Sequence, residues 1–334
     1  MSFNLPTGRL SRRMLGVVSI AVVSMALQTA ASTAQTYPMK PVRMIVPAPA
    51  GGTLDLVARA ISDDLASALG QTVVVESKPG GAGMIGVQEL LSSPHDGHTV
   101  MVHISGIVSE IPLVVKPPYD PFMAIKPLVE LASSGLILVG APNLPANNLQ
   151  GVITYVKANP GKISYASYSA GTVSHTLGLE LNAIAGLDMT HVAYKGSPPA
   201  LQDIMGGHVQ LMFDGAATSL ALIKGEKVKA FAVTTPQRMP ALPNVPTFGE
   251  LEFPSLTQVA WVGLWTTPDV PPAVQEKLRA ETLRILQKSS VAERIRGLGM
   301  EPGKVRSPDE LNQALKQAYE RQRATLQSAN FKPE

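Results

Sequence analysis

The chain has 334 residues, 45% of them hydrophobic and only 16% charged, enough apolar material for substantial cores and a length of about two domains. Its formal charge of +3 comes from the N-terminus: Met1 to Ala34 holds Arg9, Arg12 and Arg13 and no acid, and without it 25 basic residues face 25 acidic ones. A neutral body with 5% aromatics argues against nucleic-acid and membrane-surface binding, which need a basic face or stacking rings. Cysteine is absent, which excludes a disulfide framework, a thiolate metal site and a lipidated Cys at a leader junction.

Residues 1–34 follow the plan of an export signal, with a basic start, an apolar run from Met14 to Leu27, and small residues at Ser32 and Ala34 before Gln35. Cleavage is expected after Ala34. The alternative is a permanent anchor, but the run falls short of the ~20 residues needed to span a bilayer core of about 30 Å. Ser11, Arg12, Arg13 and Leu15 resemble a twin-arginine signal, and paired arginines also occur in Sec signals, so the route stays open.

Beyond the leader, Val42 to Pro47 reads as a buried parallel strand. A helix follows from Thr53 to Leu69, with apolar residues at Leu54, Val57, Ala58, Ile61, Leu65 and Leu69, ended by Gly70. Thr72 to Val75, a helix over Met84 to Leu91 and the strand Thr99 to Ile104 complete a βαβαβ unit. An apolar run from Leu136 to Gly140 then precedes Pro142, Asn143 and Pro145, where the first crossing between domains is placed. The second half repeats the plan: strand Ile163 to Tyr168, a helix ending at Gly186, strand His191 to Tyr194, a helix from Ala200 to Met205, strand Val209 to Phe213. Val228 to Thr234 is strand-like, and Val259 to Trp265 is a strand that returns to the first lobe. Two amphipathic helices near Pro272 to Lys288 and Pro308 to Gln327 end the chain.

The repeat places two equivalent loops at helix starts. One is Ala50, Gly51, Gly52 and Thr53, with Asp55 just inside the helix; the other is Ser169, Ala170, Gly171 and Thr172, followed by Ser174 and His175. A helix start offers unpaired N–H groups and the positive end of the macrodipole, so each loop is an anion cradle. Two cradles in two similar lobes imply a cleft that takes a ligand with two acidic ends. Asp55 either complements the helix dipole or holds the loop. Asp214 ends the third strand of the second unit, where open α/β sheets place ligand groups. Lys195, before Gly196 in a turn, reads as solvated, with a ligand carboxylate as the alternative partner.

Other chemistry is weighed and set aside. Gly81-Ala82-Gly83-Met84-Ile85-Gly86 satisfies GxGxxG, but the next strand ends in His103, Ile104 and Ser105 without the acid that takes the ribose hydroxyls. None of the six histidines is spaced from another as a helical metal pair, and no metal or cofactor is expected. Ser174 and His175 are helix neighbours about 100° apart and cannot form a nucleophile–base pair, and no GxSxG elbow occurs. They can donate to a ligand oxygen, with capping as the alternative.

These residues resemble a known family, the Bug/TctC extracytoplasmic solute receptors of tripartite tricarboxylate transporters, over nearly the whole chain after the leader. The marks include Tyr37, Pro38, Arg43, Pro47, Gly51, Gly52, Asp55, Arg59, Glu76, Pro79, Gly80, Gly83, Asp96, Gly97, His175, His191, Tyr194, Lys195, Gly196, Asp214, Arg238, Glu250, Trp261 and Gly263. The resemblance implies a two-lobed periplasmic binding protein of type II-like α/β fold, each lobe a mainly parallel sheet flanked by helices. It also implies that the lobes close on a small carboxylate, often a di- or tricarboxylate, through backbone N–H groups and waters from the two cradles. By position the ligand-binding set is Ala50 to Asp55 and Ser169 to His175, with Asp214 beside the cleft. Ala48 stands where the family usually has an aromatic residue, and Ser77 where it has Asn, so no particular ligand carries over.

The expectation is therefore a non-catalytic, monomeric periplasmic receptor that captures an organic carboxylate and presents it to membrane permease subunits. Its expected boundaries are a signal at 1–34, a first lobe from 35–142 and 257–334, and a second lobe from 143–256. The rivals are a sensor-type receptor and an exported serine hydrolase using Ser174, His175 and Asp214.

Overall fold

The computed structural model describes residues 37–328 together with Met1 and Ser2, so the expected leader and its cleavage point lie outside the described residues. The segment up to Met39 is a unit of its own, and Lys40 onward forms a second, compact unit, to which all that follows refers. Among the described residues no helix is long and apolar enough to cross a membrane.

The elements are β1 (Val42–Val46), α1 (Thr53–Leu69), β2 (Val73–Ser77), α2 (Met84–Ser92), β3 (Thr99–Ile104), β4 (Lys126–Ser134), β5 (Leu136–Gly140), α3 (Leu149–Ala158), β6 (Ser164–Ser167), α4 (Val173–Ala185), β7 (Thr190–Ala193), α5 (Ser197–Met205), β8 (Leu211–Gly215), α6 (Ala216–Lys224), β9 (Lys229–Val233), β10 (Ala260–Thr266), α7 (Pro272–Leu286), α8 (Ser289–Gly297), β11 (Glu301–Pro302) and α9 (Pro308–Ser328). They build two sheets, ordered β11-β4-β10-β3-β1-β2 and β7-β6-β8-β5-β9. Each has a parallel core, β2-β1-β3 or β7-β6-β8. The other pairings are antiparallel, so both sheets are mixed. Parallel neighbours need a crossover of a dozen or more residues, which the helices between β1, β2 and β3 and between β6, β7 and β8 supply; β5 follows β4 across a single residue and passes into the other sheet.

That short connection moves the first crossing. Leu136–Gly140, expected to close the first lobe, pairs with β8 and β9 in the second sheet. The chain changes sheets at Gly135, and the prolines at 142 and 145 mark only the turn toward α3. The chain returns past Gln258, after a segment packed in the second lobe, and this second passage lies beside the first: Thr234 Oγ1 accepts from the Leu136 amide at 2.8 Å and donates to the Gln258 carbonyl at 2.7 Å. A Cβ on Gly135 would come within 2.7 Å of the same Oγ1, so glycine is needed for the two passages to touch.

Packing explains why the short apolar runs are strands. In β5, Leu136 and Leu138 enter one cluster with Phe213 and Leu177, while Ile137 and Val139 enter the opposite one with Met212 and Ile204. Alternation between two buried faces gives a continuous apolar run. In α1, Leu54, Val57, Ala58, Ile61, Leu65 and Leu69 are all buried, and Gly70, at φ 70, donates its N–H to the Ala66 carbonyl as a left-handed cap. Arg43 on β1 grips Glu76 on β2 in a fork of 2.9 and 2.8 Å and also reaches Glu89 at 2.8 Å, locking the strand pair that carries the first loop.

Candidate functional site

A cavity of about 150 Å³ is lined by residues from both sheets, with Ser134, Gly135 and Leu136 of the crossing among them. Its walls are helix starts at the carboxyl ends of β1, β2, β6, β7 and β8. The N-cap residues of α1, α2, α4, α5 and α6, namely Gly52, Gly83, Thr172, Gly196 and Gly215, all line it. None of the five makes a side-chain cap hydrogen bond, which leaves first-turn amides at α1, α4 and α6 with capacity for an outside acceptor; α5 offers only the Ser197 N–H, since Pro198 and Pro199 have none, and the Met84 and His175 amides are spent on the Gly81 and Thr172 carbonyls. Lys195 is the one Lys or Arg among the lining residues, and no Asp or Glu is among them. Several positive helix ends around an acid-free space favour an anion.

The sequence-derived residues fall into three groups. Gly52, Thr53, Ser169 and Thr172 line the cavity. Thr53 Oγ1 is buried without a hydrogen-bond partner among the described residues, and the Thr172 hydroxyl donates to the Ser169 carbonyl at 2.7 Å. Asp55 and His175 instead shape the loops: Asp55 accepts the Gly51 N–H at 2.9 Å and Arg59 at 3.0 Å, while His175 Nδ1 accepts the Gly171 N–H at 3.2 Å. These two amides are thereby committed within the protein. Ser174 is fully buried and donates to the Phe213 carbonyl at 2.6 Å. Ala50, Gly51, Ala170, Gly171 and Asp214 likewise lie outside the cavity lining.

Asp214 is buried behind the wall and organises it. It accepts Ser197 Oγ at 2.5 Å and Thr218 Oγ1 at 2.7 Å, and the Tyr168 phenol bonds it as well; Ser197 and Tyr168 line the cavity. Burial pushes the Asp214 carboxyl up to about 6, against the pull of these donors. His103 has the opposite shift, down to about 4 by burial. Its Nδ1 accepts the Ile104 amide at 2.8 Å, which fixes the proton of the neutral ring on Nε2, a buried donor without a partner among the described residues.

The lobes are closed on one another through glycine notches. A Cβ on Gly196 would meet the Pro49 ring at 2.7 Å, one on Gly171 the Ile111 backbone at 3.2 Å and Val114 at 3.1 Å, and one on Gly215 Thr53 Oγ1 at 3.0 Å. Gly171 and Gly196 also sit at φ +80 and +109, where only glycine is relaxed. Gly171 therefore seats the first lobe against the second instead of offering its own amide.

Sequence reasoning passed over Tyr168, Tyr194, Ser197, Gly215, Ala216, His103 and Trp261, all lining residues. A signal existed for some: Val209 to Phe213, Asp214-Gly215 and the apolar stretch after them repeat the strand–glycine–helix plan. Ser197-Pro198-Pro199 carries proline in the first helical turn. Nothing local marks His103, which arrives by sheet neighbourhood alone.

Comparison with known proteins agrees with this geometry. The family model described as tripartite tricarboxylate transporter family receptor (TctC) matches residues 57–331. The structure of the periplasmic binding protein BugD is 32% identical, with a TM-score of 0.85, covering 89% of this chain and 100% of that one. Rpa4515 of R. palustris, solved with adipate, is 27% identical with a TM-score of 0.86, over 89% of this chain and 100% of that one. MatC from Rhodopseudomonas palustris, with bound malate, is 29% identical with a TM-score of 0.82, over 87% and 100%. The fold is thus shared with relatives solved with adipate and with malate, and the chain belongs to the TctC receptor family of the tripartite tricarboxylate transporters.

Proposed function

We propose that this chain is exported, loses its leader after Ala34, and works as a monomeric periplasmic receptor. In this role it captures a small organic acid of the di- or tricarboxylate class and delivers it to the permease subunits of a tripartite tricarboxylate transporter. The observation that carries the reading is the ring of five uncapped helix starts around a cavity with no lining acid. One carboxylate rests on the first turns of α1, α4 and α6, with Thr53, Ser169 and Thr172 beside it; Asp55, His175 and Asp214 keep the loops in shape from behind. Adipate and malate in two relatives support the ligand class. Four to six charge-assisted hydrogen bonds, each worth about 1.5 to 3 kcal/mol, suffice for micromolar affinity, about −8 kcal/mol, after association and desolvation costs.

Capture needs no chemistry. Ser174 is fully buried and donates its hydroxyl to the Phe213 carbonyl, which disfavours the hydrolase reading. The test is mass spectrometry of small molecules co-purified with the mature protein, followed by calorimetry with the acid found. Lys195→Met should weaken binding by less than about tenfold. A loss beyond a hundredfold would mean that a point charge, not the amides, holds the ligand.

A further inference from the structure

A smaller chamber of about 30 Å³ adjoins the main cavity and shares Ile104, Ile111, Leu136, Tyr168 and Thr172 with it. Its one charged side chain is Glu110, which is 3% exposed and whose Oε2 has no hydrogen-bond partner among the described residues. Gly106 lies so close to Oε2 that a Cβ there would overlap it; the carboxyl has room only because residue 106 has no side chain. The rest of the chamber wall is mostly apolar. The volume exceeds the 10–15 Å³ or so that one water needs, so the polar end of a ligand fits.

We propose that this chamber is a second ligand subsite, in which Glu110 donates a hydrogen bond from its carboxylic acid to the far carboxylate of a two-ended acid. The inference rests on the organic-acid reading of the main cavity, whose helix starts hold the near carboxylate. It explains why a receptor for anions buries an acid beside its cavity: an ionised Glu110 would repel the ligand, whereas the neutral acid is a donor. Burial pushes Glu110 up to about 7, while a hydrogen bond with Ser109 and the charge of Arg321 on α9 pull it down. The other titratable group in the chamber wall is the Tyr168 phenol, itself raised well above its ordinary value by burial and by Asp214. The phenol therefore brings no negative charge to the chamber.

The test is calorimetry on the full mature chain with dicarboxylates from succinate to suberate, with malate, and with the monocarboxylates from butyrate to octanoate. Glu110→Ala should weaken the best dicarboxylate by about ten- to a hundredfold and leave the matching monocarboxylate within about threefold. Glu110→Gln keeps shape and a donor, so it should stay within about threefold of the unaltered chain near pH 6. It should also lack the fall in affinity that the unaltered chain shows as pH rises through about 7, where Glu110 ionises. Equal binding by the unaltered chain and Glu110→Ala would overturn this inference alone, as would Gln behaving like Ala. Failure of the unaltered chain to bind any member of the panel would overturn the organic-acid reading together with it.

Discussion

At the residue scale, three of the polar side chains singled out by sequence, Asp55, Ser174 and His175, bond the backbone. Asp55 is the sharpest case. It is 2% exposed, yet one oxygen pins the Gly51 amide and the pair bonds Arg59, so the first loop takes its shape from a carboxylate one helical turn inside. Asp55→Ala should lower stability by about 1–3 kcal/mol and weaken ligand binding, as read by thermal melting and calorimetry. Asp55→Asn, which retains an acceptor, should restore most of the binding; equal loss in both would place Asp55 in direct charge contact. The buried titratable groups also set a pH response. His103, His175 and His191 are depressed to about 4, 3 and 4, chiefly by burial. Between those values and about 6.5 they hold fewer protons folded than unfolded, so the stability they contribute is present above about pH 6.5 and lost as pH falls. Asp214 and Glu110 are raised to about 6 and 7 and act in the opposite sense. Three histidines outweigh two carboxyls, so the melting temperature should fall from pH 6.5 toward 4. The double variant His175→Asn, His191→Asn, which removes the ring pair stacked at 3.8 Å, should flatten that slope. A melting temperature that rises on acidification would refute the assignment of the rings as buried and neutral.

At the element scale, the repeated strand–loop–helix plan was legible because period and punctuation agree: apolar runs, then glycine, then helical spacing. The two loops at Gly52 and Thr172 were readable on those grounds. The third start, at Gly215, carries the same plan, but its glycine follows Asp214, a residue whose side chain is the more conspicuous signal. The crossing at Gly135 could not be read locally. A five-residue apolar strand looks the same in either sheet, and the prolines at 142 and 145 punctuate the sequence more visibly than the lone Gly135, while Leu136–Gly140 pairs in the second sheet. His103 and Glu110 enter the site only through pairing and packing between segments far apart in sequence. Thr234 ties the two passages together, and Thr234→Val leaves the Leu136 amide and the Gln258 carbonyl without it. The variant should lose about 1–3 kcal/mol of stability by denaturant unfolding; an unchanged midpoint would show that the crossing does not depend on this hydroxyl.

At the scale of the whole molecule, what matters is that the two sheets present their strand ends to one space and meet through notches at Gly171, Gly196 and Gly215. A ligand touching both lobes favours this closed arrangement over an open one by the contacts that only the closed form supplies. Filling a notch should therefore act on closure: Gly171→Leu should weaken binding by more than about tenfold, through backbone strain and collision with Ile111 and Val114. Scattering should show the variant more extended than the unaltered chain in the presence of ligand; equal compaction would remove the notch from the mechanism. The most direct measurement is a crystal structure of the mature protein with its co-purified acid. The expected result is a carboxylate within about 3 Å of first-turn amides from both lobes, at α1 on one side and at α4 or α6 on the other. A carboxylate held by Lys195 with those amides facing only water, or an acid bound on one lobe, would contradict it.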